Sequence, residues 1–341
     1  CRLPVADGGE GTVDAMVAAT GGRRVAVRVT GPLGLPVEAF YGLTGDGATA
    51  VIEMAAASGL ALVPPARRNP LLTTSFGTGE LIRAALDAGA RHLIIGIGGS
   101  ATNDCGLGML TALGFRFQKA DESPAGILGG SLAAVAAIDG TAADTRLADC
   151  TFEIACDVTN PLCGPAGCSR VFGPQKGATE AIVARMDGDI HHFAALAEEA
   201  CGTAGQDLPG AGAAGGLGFA FHVFLNGRLT PGIDLILSAI GIDKALAKAD
   251  VLVTGEGRMD QQTAMGKAPA GVAQLAKACQ PHCLTLALCG SATPEAERVN
   301  AHGIDAYFPI LHAPMTLSEA MDRATAERNL RQTIQQVMHL I

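Results

Sequence analysis

Glycine constrains this chain more than any other residue type. Of its 341 residues, 45 are glycine, and many fall where an apolar strand-like run gives way to a helical pattern, the junctions at which a chain must turn sharply. Such punctuation is α/β grammar. Its clearest unit starts at Thr78, a candidate cap for a helix through Leu81, Ile82, Ala85 and Leu86; Gly89 ends the helix, and His92 to Ile97 then reads as a buried parallel strand. The pattern returns at Ile242 to Lys248 before Val251–Val253, and at Val272 to Lys277 before Leu284–Leu288.

Two stretches differ. Residues 25–63 hold β-rich runs around the turn Gly45-Asp46-Gly47, and residues 151–171 hold an apolar strand followed by Pro- and Gly-rich loops. Because crossover units separate them, the pattern predicts an α/β chain of two interleaved domains. One is Rossmann-like with a mainly parallel sheet (residues 1–24, 66–120 and 240–341). The other is a smaller mixed α/β domain (residues 25–65 and 121–239). Near the end, Thr316 and Glu319 form a capping box ahead of a long helix carrying Ala320, Ala324, Leu330 and Ile334.

Composition removes several function classes. A net charge of −9 with only 17% charged residues leaves too little basic surface for nucleic acid, and the absence of Trp removes most stacking platforms for single strands. Mean hydropathy is +0.30, yet Gly, Pro, Asp or Glu interrupts every apolar run before the ~20 residues of a spanning helix, so no membrane is expected. Ten dispersed cysteines without a leader-like opening point to free thiols in a reducing, cytoplasmic setting. The Cys163/Cys168 and Cys279/Cys283 pairs lack zinc-site spacing and read as small apolar residues. Cys1 in place of Met suggests a sequence that begins inside a longer protein.

Chemistry concentrates in Gly-rich loops. Gly98-Gly99-Ser100-Ala101-Thr102-Asn103-Asp104 follows a strand and opens a helix, a place where backbone N–H groups meet anions. Ser100 and Thr102 add donors, while Asn103 or Asp104 could orient a metal ion; a tight turn with a helix cap reads equally well. Gly210 and Gly212 precede the apolar run Leu217–Leu225, as a second phosphate loop or as close packing. After Val251–Val253 come Glu256, Arg258, Asp260 and Lys267, components for holding a metal–triphosphate or members of a solvated loop. Lys176, one of six lysines, sits in the Pro- and Gly-bounded loop Phe172 to Gly177. Acids recur in the loop Asp7-Gly8-Gly9-Glu10-Gly11 and in Asp157-Val158-Thr159-Asn160-Pro161, where turn roles compete with catalytic ones.

These six segments, in this order and spacing, resemble the glycerate kinase family, which phosphorylates D-glycerate from ATP. The resemblance spans nearly the whole chain. It implies a two-domain α/β enzyme using ATP and Mg2+, a role in bacterial glyoxylate, glucarate or galactarate breakdown, and phosphorylation of the 2-hydroxyl; the residue pattern itself does not separate the 2- from the 3-hydroxyl. Family members open with a βα unit that precedes the loop matching Asp7 to Gly11, and this unit is expected to be missing here. The resulting expectation is Mg-assisted in-line phosphoryl transfer. Asp157, Lys176 and Glu256 are then catalytic, and Gly98, Gly99, Ser100, Thr102, Asn103, Gly210, Gly212 and Lys267 hold ATP. Asp7, Gly8, Glu10, Asn160 and Arg258 hold D-glycerate, Asp104 and Asp260 the metal. Homo-oligomerisation is compatible with the sequence. A nucleotide- or sugar-phosphate-binding regulator without turnover is the competing reading, while a Rossmann oxidoreductase lacks its GxGxxG fingerprint.

Overall fold

The computed structural model describes residues 1–341. The chain divides into a larger unit, Pro4–Ile236, and a smaller unit, Leu237–Ile341 with Cys1–Leu3.

The strands of the larger unit are β1 (Arg23–Thr30), β2 (Pro36–Leu43), β3 (Thr49–Glu53), β4 (His92–Gly96), β5 (Arg116–Gln118), β6 (Ala137–Asp139), β7 (Thr151–Ala155) and β8 (Arg228–Thr230). Six form one sheet in the order β1-β2-β3-β4-β7-β8, and β5 pairs with β6 alone. The β1/β2 and β2/β3 pairs are antiparallel; β3, β4, β7 and β8 run parallel. Register aligns Ile52, Ile95, Ile154 and Leu229 in one row across the parallel part. The three isoleucines are fully buried, and burial of each contributes ~1.5–3 kcal/mol.

The helix Phe76–Asp87 is the crossover that makes β3 and β4 parallel. It begins before Thr78, whose hydroxyl is buried against Ser58 Oγ at 2.9 Å instead of capping. This pairing also changes the expected domain division. Residues 25–65 and 66–120, placed in different domains by their differing patterns, share one sheet through the register Val51↔Ile94 and Ile52↔Ile95. A local pattern reports how a strand is buried, not which sheet it joins.

In the smaller unit, β9 (Val251–Met259), β10 (Leu284–Ala292) and β11 (Ala306–Pro309) form a parallel sheet in the order β11-β10-β9. The helix Ala268–Cys279 crosses from β9 to β10. Thr316 and Glu319 do form the capping box, but on the short helix Leu317–Met321. Asp322, extended at ψ 126°, ends that turn and caps a second helix, Arg323–Met338, so the expected single helix is two. No helix is long and apolar enough to cross a membrane.

Candidate active site

A cleft of about 310 Å³ opens in the larger unit at the C-terminal ends of β4 and β7, the place where parallel sheets hold ligands. Asp7, Gly8, Gly98, Gly99, Ser100, Asp157 and Lys176 line it together, with Leu60, Phe172 and Ala214 among its apolar walls. Five of the six segments singled out in the sequence thus meet at one cavity, the segment of Gly210 and Gly212 through Ala213 and Ala214.

Lys176 is its most unusual group. The loop Pro174–Lys176 ends at Gly177 (φ 90°), which lies so close to the carbonyl of Arg68 that no side chain would fit there. This delivers an ammonium that is only 2% exposed. It donates to Ser100 Oγ (2.8 Å) and to the carbonyl of Thr102 (2.6 Å), neither of them charged. Burial pushes its pKa down to about 8, against smaller upward effects from Cys168 and Asp104. A cation so enclosed is costly unless an anion arrives beside it.

The opposite wall is the Asp7–Gly9 loop. Gly8 (φ 91°) rests on the strand ends, where an added Cβ would stand 2.6 Å from Ala155 Cβ; a Cβ on Gly96 would reach Gly8 O at 2.2 Å, and one on Gly232 Asp7 O at 1.9 Å. The Asp-Gly-Gly motif therefore lets the loop lie directly on the ends of β4 and β7. From its far side the loop is fixed by Glu53, a residue that sequence reasoning missed. This buried carboxylate at the end of β3 accepts the N–H of Val13 (2.8 Å) in the first turn of the helix Thr12–Thr20, and burial raises its pKa. An acid closing the apolar run Val51-Ile52 was the available signal.

Asp157 follows β7. One of its oxygens accepts the N–H of Gly232 (2.8 Å). The side chain reaches solvent, yet the cleft walls desolvate it enough to raise its pKa, with smaller contributions from Asp7 and Asp234. A carboxylate held at one oxygen, with affinity for a proton, is suited to general-base work.

Gly98 differs from the other glycines. Its φ is not positive and nothing lies within 4 Å of where its Cβ would stand, so the protein itself gives no reason for a bare backbone there. Close approach of a ligand does.

Several expected residues have other occupations. Asp104 is fully buried and accepts from Ser75 N–H and Oγ (2.7 Å each), Gly108 N–H and Gly106 N–H (3.3 Å each). The helix N-terminus expected to bind phosphate is thus filled by the protein's own carboxylate, which leaves Asp104 closed to a metal. Asn103 donates to Ser169 Oγ (2.9 Å) and is 1% exposed, and Thr102 contributes its carbonyl while its hydroxyl is buried. Gly210 and Gly212 are close-packing positions, against Cys156 and Leu229 and against the carbonyl of Pro161. Asn160 donates to the carbonyl of Ala166 (2.8 Å), and Glu10 is exposed and does not line the cleft. Ala214, a cleft residue at φ 53°, was not foreseen, because alanine rarely adopts that conformation.

Glu256, Arg258, Asp260 and Lys267 belong to the smaller unit. Asp260 caps the turn Gln261–Ala264, accepting from Gln262 N–H (2.8 Å) while its own N–H donates to Thr263 Oγ1 (3.1 Å). The hydroxyl of Thr263 in turn donates to Glu256. Arg258 is exposed, and Lys267 stands at the start of the helix Ala268–Cys279. Asp260, expected at a metal, has a capping role.

Comparison with known proteins shows the family. A family model described as the glycerate kinase family matches residues 1–341. The chain is 53% identical over 323 residues to a glycerate kinase of Bacillus subtilis (95% of this chain, 84% of that protein) and 49% identical to the glycerate 2-kinase of Escherichia coli (97% and 88%). A crystal structure assigned to glycerate kinase 2 of Salmonella typhimurium LT2 superposes with a TM-score of 0.87 at 49% identity, covering 99% of this chain and 89% of the other. With its fold and its whole length in agreement, the chain belongs to the glycerate kinase family, enzymes that transfer phosphate to an alcohol.

Proposed function

We propose that this enzyme transfers the γ-phosphoryl group of ATP to the 2-hydroxyl of D-glycerate, giving 2-phosphoglycerate and ADP. The observation that carries the reading is the buried, uncompensated ammonium of Lys176 facing the carboxylates of Asp7 and Asp157 across one small cleft. The name of the Escherichia coli relative supports the choice of the 2-hydroxyl.

In this reading Asp157 takes the hydroxyl proton while the glycerate oxygen forms its bond to the γ-phosphorus and the bond to the bridging oxygen of ADP breaks. Lys176 and the polarised hydroxyl of Ser100 offset the charge on the transferred group, and the bare backbone at Gly98 and Gly99 lets its oxygens approach. Most of the catalysis is positioning. Among the described residues no cluster of three or more His, Cys, Asp or Glu could hold a metal alone. Mg2+ bound to ATP asks for less, one or two carboxylates completed by phosphate oxygens and water, and Asp7, which lines the same cleft, fits that demand while Asp157 stays free to act as the base. Bound there, Mg2+ would neutralise charge on the β- and γ-phosphates.

Coupled ADP release with D-glycerate, followed by 31P NMR of the product, tests the reading. The expected result is ADP formed one-to-one with 2-phosphoglycerate. Accumulation of 3-phosphoglycerate would overturn the regiochemistry, and ligand binding without ADP release would favour the regulatory alternative.

A further inference from the structure

We propose that Ala214 is a specificity-determining residue of the cleft, its methyl group limiting the length of the hydroxy acid that enters. The proposal deepens the reading of the cleft as the place where D-glycerate is phosphorylated, and rests on that reading for the identity of the ligand.

Ala214 stands in a backbone that suits glycine. Its φ of 53° and ψ of 36° are left-handed, and Gly215 (φ 69°) and Gly216 (φ 92°) continue the left-handed run. Such a run is rare for residues with a side chain, because a left-handed backbone brings Cβ too close to the following carbonyl, a cost from which glycine is exempt. At the two later positions the protein itself explains the glycine. A Cβ on Gly215 would collide with the carbonyl oxygen of Thr102, and one on Gly216 would stand 2.9 Å from Cα and Sγ of Cys105. Gly215 also accepts the N–H of Cys105 (2.9 Å), which ties this end of the run to the loop before the helix Leu107–Ala112. Neither glycine lines the cleft, whereas Ala214 does, on the same cavity as Gly98, Ser100, Asp157 and Lys176. The one residue of the run that carries a side chain is therefore the one that borders the space for ligand.

Gly98 shows the opposite departure. There the backbone is ordinary and space is open, yet the side chain is missing; at Ala214 the backbone is strained, yet a side chain is present. Neither choice is what the fold alone calls for, and both lie on one cavity of about 310 Å³. Strain held at a ligand cleft marks a shape that serves the ligand. That volume is at the small end for a ligand site, where one carbon more or less separates an acid that fits from one that does not. Packing is the competing account, since Ala214 is only 9% exposed and also touches the core. The two accounts differ in what removing the methyl group does.

The test is Ala214→Gly, assayed by coupled ADP release with D-glycerate and with D-erythronate, an acid one carbon longer, and melted without ligand. The ratio of kcat/KM for D-erythronate to that for D-glycerate should rise about tenfold, with Tm unchanged or higher because the strain is relieved. Ala214→Ser, which adds one atom at the same place, should raise KM for D-glycerate and lower the ratio. An unchanged ratio in Ala214→Gly would overturn the proposal, and a lowered Tm beside it would make the methyl group a packing group. A normal KM in Ala214→Ser would also count against it. Calorimetric titration of both acids reads the same selectivity without turnover. A binding ratio that moves in Ala214→Gly while the parent protein releases no ADP would keep the size limit and sink the kinase role; a parent that binds neither acid would sink both.

Discussion

The two units support their strand-end loops by different means. In the larger unit, β4 is buried along nearly its whole length within a core that includes Phe152, Phe193, Phe219 and Phe221. In the smaller unit, β9 alternates between partly buried and exposed positions, and the core beneath it is built from Met259, Val299, Ile304 and short side chains such as Ala273 and Ala287. Loops after β4 and β7 are therefore clamped by packing, which lets an ammonium be held where water cannot reach. The loop after β9 relies on local hydrogen bonds, the Asp260 cap and the brace from Thr263 to Glu256. Placing a buried charge takes a deep core, whereas shaping an exposed loop takes only a cap.

The largest test of this contrast is Lys176→Met, which keeps an unbranched side chain out to Cε and removes the charged nitrogen. We expect kcat/KM to fall about a thousandfold, or ~4 kcal/mol, with no loss of Tm, because an enclosed ammonium costs stability. The sign is checkable. Above pH 8 native Lys176 gives up a proton that the unfolded chain keeps to about pH 10.4, so wild-type stability gains on the variant as pH rises through that window, by up to ~3 kcal/mol. Denaturant titrations at pH 7 and pH 10 would show it, and a constant difference would contradict the burial.

Next comes Ile95→Ala, in the row Ile52-Ile95-Ile154. It should cost ~2–5 kcal/mol of unfolding free energy and activity should fall with it, because the clamp itself is loosened. Urea unfolding measured beside kcat tests this, and full activity in a strongly destabilised variant would separate the cleft from its core.

Gly98→Ala carries a smaller expectation of the opposite kind. With open space around the new methyl group, Tm should hold or rise slightly, while KM rises about tenfold, or ~1.4 kcal/mol. A normal KM would remove Gly98 from the ligand's path. In the smaller unit, Asp260→Ala should cost ~1 kcal/mol through its lost cap, and Val253→Ala, at a position 43% exposed, no more than ~0.5 kcal/mol. Thermal melts of both variants would check the contrast, and a cost at Val253 matching that at Ile95 would erase it.

Residue order alone revealed much of this arrangement. The run His92 to Ile97, the helix Leu217–Leu225 and the loops of Asp7, Gly98, Asp157 and Lys176 could be read because each depends on short-range rules: strand burial, apolar periodicity, glycine after a strand. What escaped depends on partners distant in the chain. Asp104 near a helix start suits a metal ion or a cap equally well, and Ser75, 29 residues away, decides between them. Gly210 and Gly212 looked like a phosphate loop until Cys156 and Pro161 supplied the crowding that requires them. Membership of a sheet is equally non-local, which is why residues 25–65 and 66–120 were separated.

The contact of Gly8 with Ala155, Gly96 and Gly232 has a meaning for how this enzyme can be altered. Four positions far apart in sequence share one small volume, so they behave under mutation as a single locus. A methyl group added at Gly8, Gly96 or Gly232 meets backbone or a neighbouring Cβ, and gain at one position can be accommodated only by backbone rearrangement at another, a strongly non-additive landscape. Gly98, a few residues further on, is free of that constraint. A combinatorial library selected for folding should therefore find the Asp7–Gly9 platform nearly immutable and the Gly98 edge of the cleft tolerant of substitution, so that changes at that edge report on ligand binding and not on the fold.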